Sequence, residues 1–209
     1  MPNCPLCNST SKVFYKYEFY ECSKCKGIFR PAEKLLDNEK EKERYESHTN
    51  DSNDLGYQNF VLPITSSILK EYKKEDFGLD FGCGKDSPIV KVLRQHKYKI
   101  FEYDPYFFDD KKLLEQKYYY IACCEVIEHF YNPKKEFELL KKLLKNDGTL
   151  YLMTGIYRDN IDFSKWWYKN DLTHVFIFQE KTFEWIKKEF DFEDMYIEKN
   201  FIRFSNRKD

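Results

Sequence analysis

Four cysteines near the N-terminus have the spacing of a metal site. Two residues separate Cys4 from Cys7 and Cys22 from Cys25, and fourteen residues lie between the two pairs. A two-residue gap lets both thiolates of a pair point at one ion, and two such pairs complete a tetrahedral four-sulfur zinc site. We therefore predict that these cysteines bind a structural zinc ion, which leaves no open ligand position for catalysis.

A disulfide framework is the main competing interpretation of these cysteines. The sequence starts MPNCPLCN, without the basic and then apolar stretch of a secretory signal peptide. We therefore expect a cytoplasmic protein, and disulfides are rare in that reducing compartment. A redox-active pair is less favoured still, because no βαβ pattern surrounds the cysteines.

A glycine turn further along the chain has the composition of a ligand-binding loop. A short apolar strand over 77–81 runs into Gly82 and Gly84, and Ser87 and Pro88 follow as a good N-cap and first-turn pair for a helix. Glycines let the backbone approach a ligand closely, and a helix N-terminus offers unpaired N–H groups. The unit predicts binding of a small ligand at the end of the strand.

Asp104 indicates what that ligand contains. It ends the next predicted strand, twenty residues beyond Gly84, and a carboxylate there can accept hydrogen bonds from both hydroxyls of a ribose. The combination favours a nucleoside-containing cofactor over a purely structural turn. NAD is the nearest rival, but its loop requires a further glycine where this chain has Ser87.

The elements that must position these residues alternate along the chain. A hairpin over 12–21 would join the two cysteine pairs. The charged helical connector over 33–47 is expected to expose its charged face to solvent. Strands and helices then alternate, which predicts a doubly wound, mostly parallel α/β sheet with helices on both faces. We predict three parts: a zinc ribbon over 1–30, a helical connector or lid over 31–54 and a main domain over 55–209.

The charge balance limits the partners. The 209 residues include 35 Lys and Arg against 36 Asp and Glu, and the longest apolar run is only a few residues. This composition argues against a strongly basic nucleic-acid-binding protein and against a membrane span. The ribbon segment 1–30 carries a net charge of +3, whereas 31–209 carries −4.

Three segments together resemble the class I S-adenosylmethionine-dependent methyltransferases: LDFGCG (79–84), FEYDPYF (101–107) and CCEVIEHF (123–130). The resemblance covers about 55–204 and implies a Rossmann-like, seven-stranded sheet. The segments at 44–63 and 165–178 are similar to those of a bacterial subgroup that carries an N-terminal zinc ribbon.

The resemblance assigns cofactor contacts to particular residues. Asp80, Gly82 and Gly84 would line the methionine part of S-adenosylmethionine, and Asp104 would hold its ribose. The end of the fourth strand of the family would border the methyl group. The complete implied set is Asp80, Gly82, Cys83, Gly84, Asp104, Pro105, Cys123, Cys124 and Glu125.

Three histidines are candidates for the acceptor side. The family places substrate-facing residues in the region of His174, where Asp171 and Tyr168 could orient an imidazole or a substrate hydroxyl. His48 would approach from the connector as part of a lid, and His129 follows the fourth strand. A general base is needed only if the acceptor must lose a proton, and a structural role remains the alternative for each histidine.

Three functions are compatible with the sequence. The leading hypothesis is methyl transfer to a small-molecule acceptor. RNA methylation is the second, and the charge distribution disfavours it, since no phosphate track is evident outside the ribbon. The third is a non-catalytic cofactor-binding module whose ribbon engages a protein partner.

Overall fold

The computed structural model describes residues 1–46 and 51–207 and consists of two β-sheets with helices around the larger one. In chain order the strands are β1 (Ser11–Tyr15), β2 (Phe19–Cys22), β3 (Ile28–Phe29), β4 (Phe77–Phe81), β5 (Lys99–Tyr103), β6 (Tyr118–Cys124), β7 (Leu144–Met153), β8 (Phe176–Ile177), β9 (Asp194–Glu198) and β10 (Phe201–Ser205). The α-helices are α1 (Asn38–Glu46), α2 (Leu55–Phe60), α3 (Leu62–Glu71), α4 (Pro88–Gln95), α5 (Pro133–Leu143) and α6 (Glu180–Glu189).

The larger sheet has the strand order β5-β4-β6-β7-β10-β9. Its first four strands run parallel, and the C-terminal hairpin of β9 and β10 adds antiparallel to β7. Apolar residues of α3 and α4 pack on one face of the sheet, and those of α5 and α6 pack on the other. The predicted doubly wound, mostly parallel architecture is therefore confirmed.

The strand count differs from the seven that the resemblance implies, because this sheet contains six strands within the described residues. Between β5 and β6 the chain does not form another strand. Asp104 accepts hydrogen bonds from the N–H groups of Tyr106 and Phe107, which turns the backbone back. Asp110 then caps a short 3-10 helix, Lys111–Glu115, and only two residues remain before β6. The turn and the 3-10 helix occupy the segment in which a further strand would lie.

The smaller sheet joins the N-terminal segment to the segment between β7 and α6. Its order is β1-β2-β3-β8, and the β3–β8 pair aligns Phe29 with Phe176. A side chain at Gly27 would bring its Cβ to 2.2 Å from the ring of Phe176, so this close approach requires glycine. One strand of this sheet, β8, thus lies beyond the predicted end of the ribbon at residue 30. The domain boundary itself stays a prediction.

None of the helices in the described ranges combines the length and the apolar character needed to cross a bilayer.

Candidate active site

The carboxyl ends of β4, β5 and β6 open into one cavity of about 940 Å³. The residues that follow these strands form its floor, and side chains of α1 and α2 line its opposite side. Parallel strands end at the same edge of a sheet, so residues that are far apart in the sequence come close together there. The cavity holds every predicted site residue of the main domain that is described, except Cys123.

The glycine turn after β4 depends on both of its glycines. Gly82 and Gly84 have φ angles of 78° and 65°, in the left-handed region that favours glycine. A Cβ at Gly82 would also lie 2.6 Å from the side chain of Val126. Backbone conformation and space therefore both require glycine at position 82.

Ser87 occupies the place of a third glycine and has a definite structural role. Its hydroxyl accepts a hydrogen bond from the N–H of Val90 at 3.2 Å, which caps α4, and donates to the Asp80 carboxylate at 2.5 Å. Burial raises the pKa of Asp80 to about 7, although the bond from Ser87 acts in the opposite direction. Asp80 is therefore a buried carboxyl at the edge of the cavity, with a proton that it releases near neutral pH.

Asp104 is fixed at the end of β5 by backbone donors. Its Oδ2 accepts from the N–H of Gly84 at 3.0 Å, and its Oδ1 accepts from the N–H of Tyr106 at 2.9 Å. Only 7% of the residue is exposed. The carboxylate thus lies beside the glycine turn, where one nucleoside-containing cofactor could contact both.

Cys123 and Cys124 point to opposite faces of β6. Cys124 lines the cavity, whereas Cys123 is fully buried in the core on the side of α5. Successive strand residues alternate between the two faces of a sheet, so the two side chains cannot both line the cavity. Of the two predicted cysteines, only Cys124 therefore lines the cavity, and the cofactor set itself stays a prediction.

Glu125 follows β6 with a φ of 52°, an uncommon conformation for a residue with a side chain. Its carboxyl group is 3.4 Å from the hydroxyl of Tyr168, which donates at 2.6 Å to the fully buried Glu128. Burial and the charge of Glu128 raise the pKa of Glu125 to about 9. Two carboxyl groups therefore share one enclosed polar network below the cavity.

His129 and His174 meet beside this network. Their ring centroids are 4.9 Å apart, and both side chains line the cavity. The Nδ1 of His129 lies 2.9 Å from the carbonyl of Thr173, and the Nδ1 of His174 lies 2.7 Å from the carbonyl of Tyr168. Burial lowers the pKa of His174, which favours the neutral imidazole.

Asp171 lies in the cavity wall and holds a turn together. Its carboxylate accepts hydrogen bonds from Arg44 at 2.7 Å and from the hydroxyl of Thr173 at 2.6 Å. Burial alone would raise the pKa of Asp171, but these two donors hold it below its usual value. The carboxylate thus links α1 to the loop before β8, while the Nδ1 of His174 bonds to a backbone carbonyl. His48 lies outside the described residues.

Two acidic residues belong to the site although the sequence did not single them out. Glu41 on α1 was expected on a solvated face, yet it is buried and accepts hydrogen bonds from Tyr45 at 2.8 Å and Tyr106 at 3.0 Å. The four-residue spacing of Glu41 and Tyr45 was the available signal. Glu128 was visible only as part of the EVIEH segment. The side chain of Trp167 also lines the cavity, and unlike the two buried acidic residues it is 70% exposed.

The four ribbon cysteines converge as their spacing predicts. Their sulfur atoms all lie within 4.8 Å of one another, with 3.5 Å between Cys4 and Cys25 and 3.3 Å between Cys7 and Cys22. A tetrahedral zinc site with bonds of about 2.3 Å places its sulfurs about 3.8 Å apart, whereas a disulfide requires about 2.05 Å. The arrangement is compatible with four-sulfur zinc coordination.

Comparison with known proteins identifies the family. A sequence profile of the family described as "Methyltransferase domain" matches residues 56–197, more than half of the chain. The chain belongs to this methyltransferase family. This membership confirms the prediction of a methyltransferase. No curated protein matches the sequence.

Solved structures of methyltransferases share the fold. Phosphoethanolamine N-methyltransferase 2 of Haemonchus contortus, in complex with S-adenosylmethionine, has a TM-score of 0.54 at 13% identity, and the match covers 82% of this methyltransferase and 47% of that chain. An O-methyltransferase family protein from Burkholderia thailandensis has a TM-score of 0.53 at 11% identity, with 78% and 61% covered. At these identities the similarity concerns the fold, and this methyltransferase spans about half the length of the Haemonchus protein.

The buried carboxyl of Asp80 predicts a pH-dependent stability. The folded-state pKa of about 7 lies above the unfolded value near 3.9, so the free energy of unfolding decreases as the pH rises from about 4 to 7. Asp80→Asn cannot ionise and should be more stable than the wild type at pH 8, by up to about 4 kcal/mol, with a much smaller difference at pH 5. Urea unfolding without cofactor at both pH values measures the difference. The exposed Asp159→Asn serves as the control, and equal pH dependence of Asp80→Asn and the wild type would contradict the assignment.

Proposed function

We propose that this methyltransferase transfers the methyl group of S-adenosylmethionine to a small-molecule acceptor that binds in the cavity between the strand ends and α1. The observation that supports the proposal is that one cavity contains both the glycine turn with Asp104 and the pair of histidines. Its volume of about 940 Å³ is at the upper end of the usual range for small-molecule sites, about 300–1,000 Å³. A cofactor and a small acceptor can therefore share it.

The cofactor side consists of the residues at the ends of β4, β5 and β6. S-adenosylmethionine supplies a methyl group on a positively charged sulfur, which is already a good electrophile. Gly82 and Gly84 let the backbone approach the methionine part beside Asp80. The Asp104 carboxylate, already fixed by N–H groups, has further lone pairs for ribose hydroxyls. Cys124, which lines the cavity, would lie next to the methyl group.

The acceptor side consists of His129, His174, Tyr45 and Trp167, which line the same cavity. The enzyme's main task is to hold the acceptor in line with the methyl group and to exclude water. Tyr45 packs edge-on against His129 with ring centroids 5.4 Å apart, so α1 covers this side of the cavity. The imidazoles face the space in which an acceptor would lie.

The N-terminal ribbon supports the acceptor side through a structural zinc ion held by Cys4, Cys7, Cys22 and Cys25. Arg30, at the end of the ribbon, donates hydrogen bonds to the carbonyls of Lys169 at 2.7 Å and His174 at 3.3 Å. The β3–β8 pairing of Phe29 with Phe176 lies next to these contacts. The zinc thereby stabilises the loop that carries His174 and does no chemistry itself.

The cofactor assignment predicts which carboxylate controls affinity. Asp104→Asn replaces one acceptor oxygen with a donor and should weaken binding of S-adenosylhomocysteine at least tenfold, since hydrogen bonds to charged groups contribute about 1.5–3 kcal/mol. Isothermal titration calorimetry with the full chain measures the affinity. Glu102→Gln on the same strand, whose carboxylate pairs with Arg94 outside the cavity lining, should bind as the wild type does. No binding to the folded wild-type protein would refute the proposed function.

The zinc assignment predicts a metal-dependent ribbon. The purified protein should contain one zinc ion per chain, and Cys25→Ser should lose the ion and lower the melting temperature by several degrees, because a segment this small depends on its metal for folding. Elemental analysis and thermal unfolding measure both effects. The exposed Ser23→Ala in the same turn is the control. A metal-free wild type of unchanged stability would contradict the assignment.

A further inference from the structure

A second group of metal-ligand side chains lies on the acceptor side of the cavity. Glu128, His129 and His174 each present one ligand-type atom, and these three atoms all lie within 4.8 Å of one another. Two nitrogen ligands and one oxygen ligand differ chemically from the four sulfurs of the ribbon. The two groups therefore differ in the metal ions that they would prefer.

One ring nitrogen of each histidine contacts a backbone carbonyl. In each ring Nδ1 lies within 3 Å of a backbone carbonyl, that of Thr173 for His129 and that of Tyr168 for His174. A carbonyl only accepts, so Nδ1 carries a proton, and in the neutral imidazole Nε2 carries the lone pair. Histidines that bind metals almost always have this arrangement, with the second nitrogen donating to a carbonyl or carboxylate.

Glu128 is held in the manner of a metal-binding carboxylate. It has no exposed surface, and its two oxygens accept hydrogen bonds from the hydroxyls of Tyr168 at 2.6 Å and Thr154 at 2.9 Å. Its Oε1 lies 4.0 Å from Nε2 of His129. A carboxylate buried at this depth is stabilised by a nearby cation, and its hydroxyl partners fix its orientation.

The dimensions of the cluster suit a single ion after a small contraction. Bonds of about 2.0–2.2 Å from nitrogen and oxygen ligands place those atoms about 3.0–3.5 Å apart, so the present cluster must close by about an ångström. Two imidazoles and one carboxylate suit divalent first-row transition metals. Three protein ligands also leave coordination positions open, and the two histidines line the cavity.

We propose that Glu128, His129 and His174 bind a divalent transition-metal ion whose open positions face the cavity and hold an oxygen atom of the acceptor. The role in acceptor binding rests on the proposed function, whereas the metal site itself does not. An ion bound in this way would favour acceptors with a hydroxyl or carboxylate next to the methylated atom.

The test measures binding of Mn²⁺ to the full chain after the ribbon has been loaded with zinc. The EPR signal of free Mn²⁺ reports binding without reference to activity. The wild type should bind one Mn²⁺ per chain, and added Zn²⁺ should displace it, since Zn²⁺ binds nitrogen and oxygen sites more tightly than Mn²⁺ does. Glu128→Gln and His129→Asn should each weaken Mn²⁺ binding at least tenfold.

His96→Asn, at the exposed C-cap position of α4, is the matched control and should bind Mn²⁺ as the wild type does. Thermal unfolding identifies any variant that fails to fold, and either cluster variant alone suffices for the comparison. Absence of Mn²⁺ binding in the wild type, or unchanged affinity in folded cluster variants, would overturn the proposal and leave a metal-free hydrogen-bond network.

Binding of S-adenosylhomocysteine by the same samples separates the two proposals. Retained cofactor binding without Mn²⁺ binding overturns the metal site and leaves the proposed function standing. Retained Mn²⁺ binding without cofactor binding refutes the proposed function and supports the metal site.

Discussion

The hydrogen bond from the N–H of Gly84 to Asp104 joins the ends of two parallel strands, and the cavity is built around it. It fixes the glycine turn after β4 against the end of β5, with 3.0 Å between the two atoms. The left-handed conformation at Gly84 makes that N–H available, and the turn after Asp104 keeps the carboxylate in place. A cofactor that bound here would meet a surface already organised before it arrives.

The opposite side of the cavity is organised by parts of the chain that lie far apart in sequence. The ribbon contributes Arg30, whose guanidinium supports the loop that carries His174, and α1 contributes Arg44, which pairs with Asp171. The loop itself returns to the ribbon through β8. In the proposed function, the ribbon and α1 thus support the acceptor side, while the sheet supports the cofactor side.

Sequence reasoning predicted the parts of this arrangement that depend on local pattern. Strand β4, the glycine turn and the cap at Ser87 follow from residue types a few positions apart, and the mostly parallel sheet follows from the alternation of elements. It did not predict that Cys123 faces away from the cavity, because that depends on which face of β6 is covered by α5. It also placed Glu41 in solvent, because the charge of the helix outweighed the four-residue spacing of Glu41 and Tyr45, and the second hydrogen-bond donor, Tyr106, is 65 residues away. Long-range contacts of this kind have no local signature.

The central claim is that the glycine turn with Asp104 and the histidine pair belong to one site. A crystal structure of the full chain with S-adenosylhomocysteine tests it most directly. The account predicts that the ribose hydroxyls bind Asp104 and that the sulfur points toward the side of the cavity lined by His129 and His174. A cofactor bound with its sulfur directed away from the histidines, or bound outside the cavity, would contradict the account.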